Sequence, residues 1–584
     1  MKNKIKYKRS AIITLASSLF ILIALNIIFS FFYVRIDLTA EKRNSLAPST
    51  KKLLKELPDK IYIKVFLQGK NNPADYQIFA QKTKEILEEF ARCSSNIQFE
   101  MIDPIEGKNQ EEINSIFGEF SKKGLYPIPI SREDYSTTWV VPGAFLTYRS
   151  KEYPVTLVVS PPNSRDWLDF SIQELEYNFI SAIRNVTTTM APKVAFLEGH
   201  GELDRMATSW MEWQLKRYYG VERVSINNKV NALRNIYLKD SAEAQIGTFG
   251  NKYDVLIVAQ PTQPFSDMDK YVIDQFIMNG GKVLWLIDAT NASVDSLQTK
   301  QEMFALENEL RLNSLFFKYG VRLNANLIQD LQSRAIPIQQ GMVGNQPQYQ
   351  FYQFPYMPII VNFSSHPIVR KIKALKVDFA GTIDFVGADP EIKKTILATT
   401  SERTKVVPVP SIVTLNVIKT KPNTEEYQRM YEPVAILVEG KFTSAFKGIL
   451  PVEFDTIKEF DFKTECKEIT RQIFISDGDM IRNHIDNRSM EPYQVGYDVY
   501  EKKYYDNADF LLNCVNYLSA DDDLVLIRSK SFKIGTLDPI AVKAKKNFYI
   551  LLNTIGPLVI IGIMATVLIF IRKGKFNQKM KSLK

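Results

Sequence analysis

The chain of 584 residues contains three cysteines and three histidines, and this scarcity removes whole classes of chemistry. Cys93, Cys466 and Cys514 are odd in number, far apart and free of any CxxC spacing, so they supply neither a disulfide framework nor a zinc site. Buried free thiols are the reading that remains. No GxxxxGK[ST] segment occurs, so ATP is not held through a P-loop, and no HExxH sets two histidines on one helix face. The apolar runs that read as strands end in Glu-Gly-His, Gln-Pro-Thr and Asp-Ala-Thr. None of these puts Ser or Cys on the sharp strand-to-helix turn that an elbow nucleophile needs. A basic body is missing too. The net charge of +9 is exceeded by Lys2, Lys4, Lys6, Lys8 and Arg9 at one end together with Arg572, Lys573, Lys575, Lys579, Lys581 and Lys584 at the other. The slightly acidic remainder offers phosphate polymers no long-range attraction, so nucleic acid is set aside as a partner.

What is present, beside those basic tails, is two long apolar runs, Ala11–Val34 and Phe548–Ile571, neither carrying a charge. Each is long enough to cross a ~30 Å hydrocarbon layer at about 1.5 Å per residue. The first exceeds the roughly 7–15 apolar residues of a signal peptide and is followed by no small-x-small cleavage site, so it reads as a retained anchor. Lys and Arg on the outer flanks place both termini in the cytoplasm, a bias that Lys543, Lys545 and Lys546 reduce without reversing. The expected organisation is a tail (1–10), a transmembrane helix (11–34), an N-terminal α/β domain (35–185), a larger α/β domain with insertions (186–540), a second transmembrane helix (548–571) and a basic tail (572–584). The bulk of the chain then lies in the periplasm. Two spans without ionisable residues do not make a transport path.

Between the spans the pattern is α/β. A short helix from Ser49 or Thr50 to Leu57, a strand over 61–67, a helix over 75–93 and a strand over 97–102 form a βαβ unit, which implies a parallel pair. The layout resembles thioredoxin-like domains, but the strand-to-helix connection is "QGKNNPAD", with no thiol and hence no thiol chemistry. Strands at "AFLTYRS" and "YPVTLVV" and a helix over 168–183 follow. Val194–Leu197, Asp254–Ala259 and Lys282–Ile287 are continuous apolar runs, the mark of strands buried on both faces. Leu203, Met206, Trp210 and Trp213 share a helical face, and Ser266 with Asp269 has capping-box spacing ahead of a helix ended by Gly280-Gly281. A helix running from about Gln301 to Tyr319 and a surface loop over Gln339–Pro358 are expected next. Strands over 412–417, 434–438 and 472–475 and a helix over 508–518 complete the pattern. The fold class is α/β: a thioredoxin-like region, then a doubly wound parallel sheet of Rossmann, flavodoxin or amidotransferase kind, with one transmembrane helix at each end.

Ligands of such sheets sit at the carboxyl ends of the strands. Glu198, Gly199, His200, Gly201 and Glu202 occupy that position after the first strand, Gln260 after the second and Asp288 after the third. These seven are the candidate ligand- or partner-binding residues. One reading makes His200 a base and Glu198 and Glu202 acids. The other makes the segment a tight turn in which two glycines supply positive φ and Glu202 complements a helix N-terminus. The turn is complete as an explanation, and "GHGELD" lacks the third glycine of GxGxxG. Asp477-Gly478-Asp479 reads as a turn after a strand rather than a metal-binding carboxylate pair. His366 and His484 are lone histidines in loops. No catalytic residue, metal ligand or cofactor is assigned.

Several segments carry a resemblance in order along nearly the whole chain: "DLTAEKRNSLAPST" after the first apolar run, "KVAFLEGHGELD", "YGVRLNANLIQDLQSRAIPI", "EPVAILVEGKFTSAF" and the final apolar run with its basic tail. Together they resemble the ABC-type auxiliary family, in particular the GldG-type gliding-motility proteins of Bacteroidetes. The resemblance implies a non-enzymatic accessory subunit of the bacterial inner membrane. It would work with an ABC permease subunit and a cytoplasmic ATPase, in gliding motility or secretion. It supplies no catalytic residue. A hydrolase or binding protein using the His200 turn is the alternative, and self-association stays open.

Overall fold

The structure is a computed structural model that describes residues 45–69, 72–131, 137–158, 167–187, 192–235, 250–300, 302–343, 346–387, 389–419, 422–449, 462–486, 490–519 and most of 554–573, with isolated helical positions near residues 20 and 527. Met1–Ser531 form one unit and Phe532–Lys584 another. In the second unit Thr554–Ile571 is a helix long and apolar enough to cross a membrane. Most of the expected first span, 11–34, lies outside the described residues.

The first unit begins with helix α1 (Pro48–Lys55), strand β1 (Ile61–Val65), helix α2 (Ala74–Cys93) and strand β2 (Ile97–Met101). Strand β1 alternates buried Ile61, Ile63 and Val65 with exposed Tyr62 and Lys64, so one of its faces is core. α2 lays Tyr76, Phe79, Thr83, Leu87 and Phe90 on that face, at the expected helical spacing. β1 and β2 are parallel; β3 (Gly143–Tyr148) and β4 (Lys151–Thr156) add antiparallel strands in the order β2-β1-β3-β4. Helix α3 (Trp167–Thr187) packs Leu175, Phe179 and Ile183 into the same core.

The larger sheet has eight strands. Its parallel part consists of β5 (Lys193–Glu198), β6 (Gly220–Ser225), β7 (Val255–Ala259) and β8 (Lys282–Leu286), with a fifth strand from much later in the chain. Helix α4 (Ser209–Lys216) connects β5 to β6, and α5 (Asp267–Met278) connects β7 to β8. A long hairpin, β9 (Ser333–Val343) and β10 (Gln346–Ile360), follows. The chain then supplies β11 (Asn362–Phe363), β12 (Ile392–Thr399), β13 (Pro433–Gly440), β14 (Thr470–Ile475) and helix α6 (Asn507–Leu518). The order across the sheet is β11-β12-β13-β14-β8-β7-β5-β6. β14 is the fifth parallel strand, whereas β13, β12 and β11 are each paired antiparallel to the strand before them in the sheet.

Both faces of the parallel strands are covered, which is why they read as unbroken apolar runs. On β5, Val194 and Phe196 face the side of Met211, Leu215 and Leu511. Ala195 and Leu197 face the side of Tyr271 and Phe276. Trp285, fully buried, donates its indole N–H to Gln472 Oε1 at 3.0 Å, so the one polar atom of the largest core side chain is paired.

Four expectations are corrected. The sheet is mixed rather than parallel throughout, because the strands around 396 and 436 return along its other edge. Gln301–Tyr319 is not one helix: Glu302–Ala305 is a strand and the helix is only Asn313–Lys318. The expected loop 339–358 is instead the outer part of the β9–β10 hairpin. Helix α4 starts at Ser209, so Met211 and Leu215 form its buried face while Met206 and Trp213 are exposed.

Candidate functional site

The parallel strands follow the chain in the spatial order second, first, third, fourth, fifth. The order reverses between β5 and β7, the switch point at which the loops beyond the strand ends diverge. The His200 turn leaves β5 there. Gly199 has φ +118° and Gly201 φ +73°. A Cβ on Gly201 would overlap Thr262 Oγ1 from the loop after β7. That loop clasps the turn: Thr262 N and Gln263 N both donate to the His200 carbonyl, at 2.9 and 2.8 Å.

The His200 ring lies flat on Phe265, 3.8 Å between centroids and 6° between planes. Nδ1 meets Glu202 Oε1 and Nε2 meets Asp269 Oδ2, both at 3.1 Å, and His200 N donates to Glu202 Oε2 at 2.6 Å. Burial alone would lower the imidazole's pKa, but the hydrogen bonds with Asp269 and Glu202 lift it to about 9. Burial pushes Asp269 upward, yet the bonds from His200 and Ser266 hold its carboxyl below the usual value. Ser266 also caps α5, accepting from Asp269 N at 3.1 Å, as the sequence spacing indicates. His200 is therefore a buried imidazolium between two carboxylates, with both ring nitrogens engaged. A general base needs a free nitrogen lone pair, and this one has none.

Glu198 is separate from this group. It accepts from Arg223 Nη1 at 2.8 Å, and the same guanidinium binds Glu212, Thr208 Oγ1 and the Leu203 carbonyl while lying over Phe196. Gln260 and Asp288 form the third group. Gln260, at φ +53°, donates Nε2–H to Asp288 Oδ2 at 2.7 Å, and Gly478 N donates to Asp288 Oδ1 at 2.6 Å. The structure thus brings the seven residues to the carboxyl ends of neighbouring strands but divides them into three bonded sets.

Gly478 carries the site beyond the expected residues. Asp477 and Asp479 flank it at the end of β14, beside Asp288. Burial, then Asp479, raise the Asp288 carboxyl to about 7; burial, then Asp288 and Asp479, raise Asp477 well above the ordinary value. Asp477 Oδ2 accepts from Asp378 N at 2.9 Å. Next to them lies a cavity of about 450 Å³ lined in part by Arg334, Lys376, Asp378, Asp479, His484 and Asp498. Arg334 bridges Asp378 and Asp498. Burial, then Arg334, lowers Lys376 to about 8, and burial, then Lys376 and Arg482, lowers His484 to about 4. Among the described residues no group of three or more His, Cys, Asp or Glu is placed to hold a metal ion. Cys466 and Cys514 are buried free thiols, and Cys93 is half-buried.

Asp288 and the Asp477 turn are legible in the sequence as strand ends. Arg334, Lys376 and Asp498 are not, because they come from segments far apart in the chain and belong to no local motif.

A family model described as "ABC-type uncharacterized transport system" matches residues 191–514, more than half of the chain. The chain belongs to this auxiliary family of ABC transport systems. Residues 40–147, which hold β1, β2 and most of β3, match a domain of unknown function (DUF7088). No curated protein matches. A solved structure of the "mmIFT52 N-terminal domain" aligns with 56% of this chain and 97% of its own, at 12% identity and a TM-score of 0.29.

Proposed function

We propose that the protein is a non-enzymatic, membrane-anchored accessory subunit of an ABC transporter. Its large domain faces the periplasm, and a separate permease and ATPase provide the transport path and the energy. The family match carries this reading, and the state of the His200 turn supports it: the best-placed catalytic candidate is spent on an internal ion triad. The absence of a P-loop from the sequence fits an energy source on another chain. The N-terminal sheet is read as thioredoxin-like without the thiols, and the parallel strands as flavodoxin-like with three antiparallel-paired strands added. Both serve as binding scaffolds, and the GldG-type resemblance makes gliding motility or secretion the process served.

The test is affinity purification of a functional tagged copy from mild detergent. An ABC permease and its ATPase are expected in stoichiometric amounts. Recovery of neither, from cells in which the tagged copy replaces the native one, would sink the proposal.

A further inference from the structure

The β9–β10 hairpin carries an open edge without charge. Residues 335–369 contain no Asp, Glu, Lys or Arg. Residues 339–342 and 347–351 of the hairpin are exposed, with Met342, Tyr349 and Phe351 more than half accessible. β9 and β10 pair with each other. Among the described residues the outer side of β10 gains a partner strand only at Ile359 and Ile360, where Leu375–Lys376 joins. Before that point, among the described residues, no strand pairs with the other side of Gln348–Gln353.

An open edge recruits other strands, and proteins guard against this with charge, brevity or proline. The outer strands of the two larger sheets follow that rule. β6 carries Glu222 and Arg223, β2 carries Glu100, β4 carries Lys151 and Glu152, and β11 is two residues long. β10 does not. Prolines stand at 347 and 355, and between them "QYQFYQF" (Gln348–Phe354) has neither charge nor proline. Its alternation of glutamine and aromatic residues is the composition of segments that stack on copies of themselves, through amide ladders and aromatic contacts.

We infer that this edge pairs with the same edge of a second copy of the chain, antiparallel about a two-fold axis, joining two hairpins into one four-stranded ribbon. A two-fold contact sets each segment against itself. Self-pairing of a charged edge sets like charges close together, whereas this one meets only glutamine and aromatic side chains. An isolated two-stranded ribbon is marginal in water, so the second pair of strands also stabilises the arm.

The experiment uses the full chain in detergent micelles, followed by light scattering across a concentration series. Wild type is expected to pass from monomer to dimer. The double variant Tyr349→Lys/Phe351→Lys places like charges at the contact and is expected to weaken dimerisation about tenfold or more with an unchanged circular dichroism spectrum. In a Cys93→Ser background, mild oxidation is expected to link copies through Phe351→Cys, which at the middle of Gln348–Phe354 faces its own copy across the two-fold axis, but not through Glu100→Cys on the charged edge of β2. A wild type that stays monomeric overturns the inference. So does a dimer indifferent to the two lysines, or Phe351→Cys joining a different protein instead of its own copy. Permease recovery with the lysine variant tests the accessory role separately.

Discussion

His200 illustrates how a residue that looks catalytic is used up by structure. Its ring fills the space between Glu202 and Asp269, and each carboxylate has the imidazolium as its cation. Replacing it with alanine leaves two buried negative charges without that partner, which costs about 3 kcal/mol or more. His200→Ala is therefore expected to lower the urea midpoint markedly. The pH dependence has a definite sign. The folded pKa, about 9, lies above the ordinary histidine value of 6.5. The stabilisation is then complete below about pH 6.5 and is lost as pH rises through 9. Wild type should lose stability over that window while His200→Gln, which cannot titrate, should not. Parallel profiles for the two proteins would show that no imidazolium is present. The sequence shows this residue plainly, because a histidine between glycines after an apolar strand is conspicuous. It does not show Asp269 and Phe265, whose approach depends on how the next βα unit folds against the turn.

At the level of elements, legibility follows burial. The strands at 194, 255 and 283 are visible because double-sided burial leaves unbroken apolar runs. The hairpin is invisible because its proline, glutamine and tyrosine content reads as loop and its outer half has no core to impose alternation. Helix α4 buries a different face from the one its pattern suggests, since Met206 and Trp213 are apolar yet exposed, and periodicity alone cannot tell an exposed stripe from a buried one. The glycines of the turn do adopt the positive φ that their pattern indicates, and they make a graded prediction. Gly199 has nothing within 4 Å of the position a Cβ would take, so alanine there costs backbone strain alone, about 1–3 kcal/mol. Gly201→Ala adds the overlap with Thr262 Oγ1 and is expected to destabilise more. The double variant Gly201→Ala/Thr262→Ala should recover the steric part, giving a favourable coupling in a double-mutant cycle measured by thermal unfolding. Strict additivity of the two changes would mean that the loops after β5 and β7 are not in contact.

For the whole molecule the decisive property is the distribution of charge. A slightly acidic body and basic residues massed outside two apolar runs, in a family tied to ABC transport, are the basis of the proposed orientation, with both tails in the cytoplasm. The lysines at 543, 545 and 546 pull the other way, so the orientation makes a real prediction. In a Cys93→Ser background, cysteine replaces Tyr126, exposed in the large unit, or Lys573 in the basic tail. An impermeant maleimide applied to intact spheroplasts is expected to label Tyr126→Cys and to reach Lys573→Cys only after the inner membrane is opened. Labelling of Lys573→Cys with protection of Tyr126→Cys until lysis would put the large unit in the cytosol, against the orientation that the tail charges favour. The accessory role would then have to be rebuilt around contacts on the ATPase side of the transporter.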